Sequence, residues 1–192
     1  MRSPVRALLA ATVLLGGVAL APPASADPSA WVFVGAGPLG WKQSDAAFTT
    51  SGAMSFDVGV GTTPEARLIA GGLFRMTPVF GSGTDLALLA RVATHGFQAG
   101  GFGFAVDAGG YERFWGATSR GFAGAVNLGV PRGFTLSLQT ESGTDRAVAL
   151  GAVAGLDLLR LTVFRKSLLN WWPNPAPAQR PRDAFVGGTG HW

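Results

Sequence analysis

The sequence predicts an all-β fold, an up-and-down antiparallel β-barrel of about eight strands, with ten strands as the alternative. Apolar residues recur with period two through most of the chain, and helix-period patterns are scarce. The chain also contains 29 Gly among 192 residues and only 14% charged residues. Ordinary domains carry about 7% Gly and about 25% charged residues. This composition therefore argues against most soluble enzymes.

Residues 1–26 have the order of a secretory signal peptide. Two arginines precede an apolar run over residues 7–20, and small residues follow at 24–26. Such an order is typical of a cleaved export signal, and the apolar run is shorter than the roughly 20 residues of a membrane-spanning helix. We therefore expect export, a β-barrel over residues 27–166 and a proline-rich tail over residues 167–192.

Eight alternating runs are predicted to be the strands, because each carries apolar residues on one face only. In order they cover residues 31–37, 53–61, 67–77, 85–94, 98–107, 118–130, 134–141 and 147–158, and the last run continues through Leu159, Leu161, Val163 and Phe164. The clearest apolar faces are Met54, Phe56, Val58 and Val60; Phe102, Phe104 and Val106; Phe122, Val126 and Leu128; and Phe134, Leu136 and Leu138.

The predicted connections alternate in length. Tight turns cover residues 62–66, 95–97 and 131–133, whereas mostly longer loops cover residues 38–52, 78–84, 108–117 and 142–146. Strict alternation places the longer loops together at one end of the barrel. Short turns at one end and longer loops at the other are typical of membrane-spanning β-barrels.

The face opposite the apolar residues decides between a soluble and a membrane barrel. A soluble barrel carries many charged residues on its solvent face, whereas here that face is mostly Gly, Ala and Ser with isolated charges. Small residues suit the narrow interior of an eight-stranded barrel. The large apolar residues are then predicted to face lipid, which makes the fold a transmembrane β-barrel.

On strand length, alternation and loop asymmetry, residues 31–164 resemble the small eight-stranded outer-membrane barrels of the OmpA and OmpX type. The resemblance implies location in the cell outer membrane after export, with lipid and the outer-membrane assembly machinery as partners. It also implies a non-enzymatic envelope scaffold, or a protein whose outer loops bind an extracellular partner. That partner is not identified by the sequence.

Isolated polar residues on the inward face predict a network that closes the lumen, since buried charges must be paired. They are Asp57, Arg67, Arg75, Arg91, Asp107, Arg120, Asn127, Gln139 and Glu141. Ile69, Leu73 and Leu89 share this predicted face and reduce its polarity. Six aromatic residues are expected at the membrane interfaces, where aromatic belts form: Trp31, Trp41, Tyr111, Trp115, Trp171 and Trp172.

Two other functions stay open at this point. The first is an exported soluble barrel that binds an apolar ligand between inward-pointing residues such as Phe102 and Phe104. The second is an outer-membrane acyl hydrolase that uses His95 as its base. No G-x-S-x-G motif accompanies that histidine, so no catalytic residue is predicted.

No cofactor, metal or nucleic-acid partner is predicted. Residues 35–40 match the dinucleotide pattern G-x-G-x-x-G, but no helix is predicted after them, and glycine is so frequent that the match carries little information. The chain has no Cys and only two histidines, His95 and His191, which leaves few metal ligands. Its surplus of basic residues lies in the predicted tail, so the barrel has no clustered basic face.

Overall fold

The computed structural model describes residues 28–99 and 101–160. Its strands are β1 (Ser29–Lys42), β2 (Thr49–Gly61), β3 (Leu68–Val79), β4 (Gly83–Thr94), β5 (Gly103–Arg113), β6 (Ser119–Gly129), β7 (Phe134–Gly143) and β8 (Val148–Asp157). Each strand pairs antiparallel with the next, and β8 pairs with β1. The predicted eight-stranded up-and-down barrel is thus confirmed as a closed antiparallel sheet. The predicted signal peptide and tail lie outside the described residues.

The barrel has two ends, which we name by their connections. The hairpin end carries the loops 43–48, 80–82, 114–118 and 144–147, and the terminal end carries the loops 62–67 and 130–133, the β4–β5 connection, the start of β1 and the end of β8. The predicted contrast between long and short loops is wrong, because the hairpin-end loops are as short as those of the terminal end. The strands extend into residues that were expected to be loop.

Two prolines explain part of this extension. Pro38 lies within β1 opposite Gly52 of β2, and Pro78 lies within β3 opposite Thr84 of β4. The pairing of β1 with β8 skips Pro38, and that of β3 with β2 skips Pro78. Proline has no backbone N–H, so its strand loses one possible hydrogen bond. This loss affects pairing with only one of the two neighbouring strands, and pairing with the other neighbour stays intact.

Two predicted strand ends are wrong for local reasons. The fifth strand begins at Gly103 rather than at residue 98, because His95–Gln98 forms a short helix, α1, in which the Thr94 side chain accepts the Phe97 N–H. The eighth strand ends at Asp157, whose carboxylate accepts the N–H groups of Leu159 and Arg160. Residues 158–160 are helical, so the chain turns away from the strand direction.

The two faces of the sheet differ sharply in polarity. The inward face is buried, whereas the outward face exposes large apolar side chains, with Leu88 64% exposed and Phe104 58% exposed. Others on this outward apolar belt are Val58, Val60, Phe74, Val92, Val106, Phe122, Val126, Leu136, Leu138 and Leu150. The apolar belt surrounds an interior that contains nearly all the buried charge.

Closure between β1 and β8 depends on close backbone contact at Gly37. A Cβ at this position would overlap the Ala152 carbonyl oxygen of β8. At Gly72, on the outward face of β3, the nearest atom to an added Cβ would be 3.8 Å away.

We expect Gly37→Ala to lower the free energy of unfolding by about 1–3 kcal/mol, because backbone atoms must shift to accept the methyl group. The matched Gly72→Ala variant should change it by less than about 0.5 kcal/mol. Urea denaturation of both variants, folded in detergent micelles, checks this difference. Equal midpoints for the two variants would contradict the proposed close contact.

Candidate functional site

Four buried charged residues form the centre of the barrel interior. Arg75 of β3 binds Asp57 of β2 through two hydrogen bonds of 2.8 and 2.6 Å. Arg91 of β4 likewise binds Asp107 of β5, at 2.6 and 2.8 Å. Within each pair the two residues face each other directly in the strand register. We call Asp57, Arg75, Arg91 and Asp107 the central quartet.

The two pairs of the central quartet are also joined to each other. Arg75 Nη2 donates to Asp107 Oδ2 at 2.9 Å, and Arg91 Nη2 lies 3.5 Å from Asp57 Oδ2. Each of these contacts skips one strand and so crosses the lumen. Two carboxylates balance two guanidinium groups, and buried charges are tolerated when they are paired in this way.

Amide and hydroxyl groups extend the network across the remaining strands. Asn127 of β6 donates to Asp107 Oδ2 at 2.9 Å. On the other side, Gln139 of β7 donates to Ser55 Oγ at 3.3 Å, and Ser55 in turn donates to Asp57 Oδ1 at 3.1 Å. The polar chain therefore runs from β7 through β2 to β6 and fills the lumen at this level.

Inward apolar residues form further packed clusters inside the barrel. Ile69 packs with Trp31, Ala93, Phe97 and Ala105, and Leu73 packs with Ala87, Leu89, Tyr111 and Ala123. The predicted inward face of Ile69, Leu73 and Leu89 therefore holds in the structure. These side chains occupy space between charged clusters.

A second charged cluster lies at the hairpin end. Arg113 of β5 binds Asp85 of β4 at 2.9 Å and Glu141 of β7 at 3.1 Å. The Trp115 Nε1–H also donates to Asp85, at 2.8 Å. Trp115 packs edge-to-face on Trp41 with ring centroids 4.6 Å apart. We call Trp41, Asp85, Arg113, Trp115 and Glu141 the hairpin mouth.

The terminal end is closed by α1 and by the chain that follows β8. Phe97 of α1 is buried, and the guanidinium of Arg91 lies 5.6 Å from its ring centroid. The guanidinium of Arg160 lies 3.9 Å from the same centroid and 3.5 Å from the Asp157 carboxylate. Burial lowers the pKa of Arg160 to about 10, with Asp157 opposing that shift. Arg160 thus stays protonated at neutral pH.

Two residues predicted for the interior network lie elsewhere. Arg120 points outward and pairs with Glu112 at 2.8 Å on the surface. Arg120 lies two positions before the outward Phe122, so period two places both on the same face. Arg67 is exposed in the 62–67 loop, because β3 begins only at Leu68.

The aromatic residues expected at the membrane interfaces are distributed differently. Trp31 and Tyr111 are buried inside the barrel, so their predicted interface location is wrong. Trp41 and Trp115 are half-buried in the hairpin mouth, and Trp171 and Trp172 lie outside the described residues. The exposed rings next to strand ends are phenylalanines instead: Phe48, Phe80 and Phe114 at the hairpin end, and Phe102 and Phe134 at the terminal end.

Asp85 and Arg113 are two interior residues that were not among those predicted. The available signal was spacing, because Asp85 lies six residues from Arg91 and Arg113 six residues from Asp107, which places each pair on one face of a strand. Because the sequence predicts a loop over residues 108–117, Arg113 is not assigned to a strand face there. Ser55, which joins Gln139 to Asp57, was likewise not singled out.

His95 does not form a catalytic constellation in the part of the chain that the structure describes. Its Nδ1 lies 2.9 Å from the carbonyl oxygen of Pro64, a backbone contact at the terminal end. Over residues 28–99 and 101–160, no group of three or more His, Cys, Asp and Glu side chains could hold a metal ion. The charged residues of the interior instead bind one another.

Comparison of the chain with protein-family models, curated proteins and solved structures finds no match. In the described residues, no helix has the length and apolar character needed to cross a membrane.

Asp107→Ala should lower the free energy of unfolding by about 3–5 kcal/mol, because it leaves a buried guanidinium without its carboxylate. Glu112→Ala, on the same strand, removes an exposed pair and should cost less than about 1 kcal/mol. Denaturant midpoints in detergent measure both effects.

The double variant Arg91→Met, Asp107→Leu should recover part of the loss, since it removes both members of one pair and leaves Arg75 with Asp57. A double variant no more stable than Asp107→Ala would contradict the assignment of the loss to an unpaired charge.

Proposed function

We propose that this protein is exported and inserted into the cell outer membrane, where it forms a non-enzymatic β-barrel whose lumen is closed by its own side chains. The observation that carries the proposal is the outward apolar belt on a closed barrel. In a membrane every backbone polar group must be paired within the protein, and a closed barrel meets that requirement. Its biological role would be that of an envelope scaffold, or of a platform that presents the hairpin-end loops.

The dimensions of the strands support membrane insertion. A tilted strand of about 9–11 residues crosses a bilayer, and the strands here contain 10 to 14 residues. The exposed phenylalanines next to strand ends would lie at the two lipid interfaces, as aromatic girdles do. The outward ion pair of Glu112 and Arg120 lies near the hairpin-end tips of β5 and β6, where headgroups and water would surround it.

The outward orientation of the Phe102 side chain weighs against a soluble ligand-binding barrel. That alternative requires Phe102, Phe104 and Phe122 to point into a cavity, whereas Phe102 is 74% exposed and the other two also face outward. A soluble barrel with this surface would expose far more contiguous apolar area than monomers tolerate. The hydrolase alternative gains no support from His95, whose described contact is a backbone carbonyl.

The full exported chain, refolded from urea into lipid vesicles, tests the proposal. We expect it to float with the vesicles, to migrate differently on a gel before and after heating, and to fractionate with outer membranes in the cell. Because the lumen is filled, planar bilayers containing the protein should show no steady conductance. Recovery of the folded protein as a soluble monomer would refute the proposal.

A substitution that introduces a charge into the outward apolar belt provides a more specific test. Val106→Lys should lower the stability of the vesicle-inserted barrel by about 2–4 kcal/mol, because it places a charge among acyl chains. Thr118→Lys, in an exposed hairpin-end loop, is the matched control and should leave stability unchanged. If the barrel were soluble, both substitutions would be neutral, since both side chains would face water.

A further inference from the structure

The hairpin mouth contains hydrogen-bond donors that no group of the described residues uses. Arg113 is fully buried, and within residues 28–99 and 101–160 neither its Nη1 nor the buried Nε1 of Trp41 has a hydrogen-bond partner. The Arg113 guanidinium lies 4.5 Å from the Trp115 ring centroid and 5.9 Å from that of Trp41. Both donors therefore lie within the same small group of side chains.

The same mouth also offers an acceptor and apolar surface. The Glu141 side chain is 12% exposed, and one of its carboxylate oxygens binds Arg113. Trp41 and Trp115 are only half-buried and pack against the buried cluster of Leu39, Ala53, Val79 and Ala149, so part of their aromatic surface stays exposed. Aromatic surface combined with a few polar groups is typical of a small-molecule site.

The loops around the mouth are fixed to one another. The Ser44 N–H donates to the Asp145 carbonyl at 2.7 Å, and Gln43 donates to the Ala117 carbonyl at 2.8 Å. Ser44, Asp145 and Arg146 adopt positive φ angles of 53°, 55° and 53°. Such left-handed conformations cost energy in residues other than glycine and cluster at binding sites. These loops are therefore joined to one another around the mouth.

The charge of the mouth restricts its ligand. Arg113, the cation of the mouth, already binds both Asp85 and Glu141, so no unpaired positive charge is left to attract an anionic ligand. A cation has no lone pair for the unused donors of Arg113 and Trp41. A hydroxyl group both accepts and donates hydrogen bonds, so it can satisfy these donors and Glu141 together.

We propose that the hairpin mouth opens by a shift of the half-buried Trp41 and Trp115 side chains and binds an uncharged saccharide. Sugar C–H faces would then lie against the two rings, with hydroxyl groups hydrogen-bonded to Glu141 and to the Arg113 and Trp41 Nε1 donors that the shift exposes. The ligand is a free oligosaccharide or the sugar chain of a cell-surface polymer. This assignment depends on the geometry of the mouth and does not require the belt to face lipid. Vesicle insertion and saccharide binding can therefore fail independently.

The test uses the full exported chain, folded in a sugar-free detergent such as lauryldimethylamine oxide and applied to an array of immobilised glycans. The array contains trisaccharides and long polymers of glucose, galactose, mannose and N-acetylglucosamine, with polygalacturonate and sialylated chains as acidic glycans. We expect retention on at least one uncharged glycan and weaker retention on acidic ones. Retention on trisaccharides identifies a free-oligosaccharide ligand, and retention on polymers alone identifies a surface polysaccharide.

The decisive variant is Trp41→Phe, which keeps an aromatic ring but removes the unused Nε1–H. It should weaken binding of the best-retained glycan about tenfold, measured by tryptophan fluorescence titration. Trp31→Phe is the matched control, because Trp31 Nε1 also lacks a partner but lies inside the barrel with Phe97 of the terminal end. Its affinity should equal that of the unaltered protein.

Heat-dependent gel migration shows that each variant is folded. Three results would overturn the proposal: no retention on any uncharged glycan, equal weakening by Trp41→Phe and Trp31→Phe, or tighter binding of the acidic glycans.

Discussion

The structure depends on one constraint, which is that eight strands closed into a barrel leave an interior only wide enough for side chains. Inward residues such as Arg75 and Arg91 then contact residues of strands that are not their neighbours, so charge and volume must balance locally. The central quartet meets this requirement with two carboxylates and two guanidinium groups that bind across skipped strands. Where the lumen is not charged, Ile69, Leu73 and Leu89 fill it.

This constraint also explains why the interior of the barrel carries charged residues and its outer face is apolar. Because the interior cannot hold a conventional apolar core of large side chains on all strands, the large Phe, Leu and Val residues face outward. A barrel of this kind gains stability from its ladder of backbone hydrogen bonds and from internal ion pairs. An apolar solvent around the belt would remove the cost of exposing those residues to water.

The two ends of the barrel are covered by different groups of side chains. At the terminal end, α1 and the turn after Asp157 place Phe97 and Arg160 across the opening. At the hairpin end, the opening is covered by Trp41 and Trp115, and beneath them Asp85 and Glu141 share the single guanidinium of Arg113. The hairpin end combines half-buried tryptophan rings, donors without a partner among the described residues, and loops that are hydrogen-bonded to one another. It is therefore the end at which we place ligand binding.

Much of this arrangement could be predicted from the sequence, because period-two alternation is a local property. Alternation was sufficient for the all-β class and for a barrel of about eight strands, with ten as the alternative. The small residues opposite the large apolar ones favoured the outward direction of residues such as Phe102 and Phe104. They also placed Asp57, Arg75, Arg91 and Asp107 on the inward face. Arg120 departs from its predicted face for a simpler reason, since its own spacing from Phe122 already indicates the outward side.

The remaining features depend on contacts between strands that are distant in the chain. Local propensity predicts loops at Pro38 and Pro78. Each proline nevertheless remains in its strand, because its missing N–H disturbs pairing with only one of the two neighbouring strands. The location of Trp31 depends on the strands opposite it, which offer space among Ile69, Ala93 and Phe97. Partner choice within the central quartet depends on strand register. Sequence by itself determined which side chains of a strand share a face. Tertiary structure decided which face lies inside and which inward side chains meet, because contacts across a closed lumen are set by register and barrel closure.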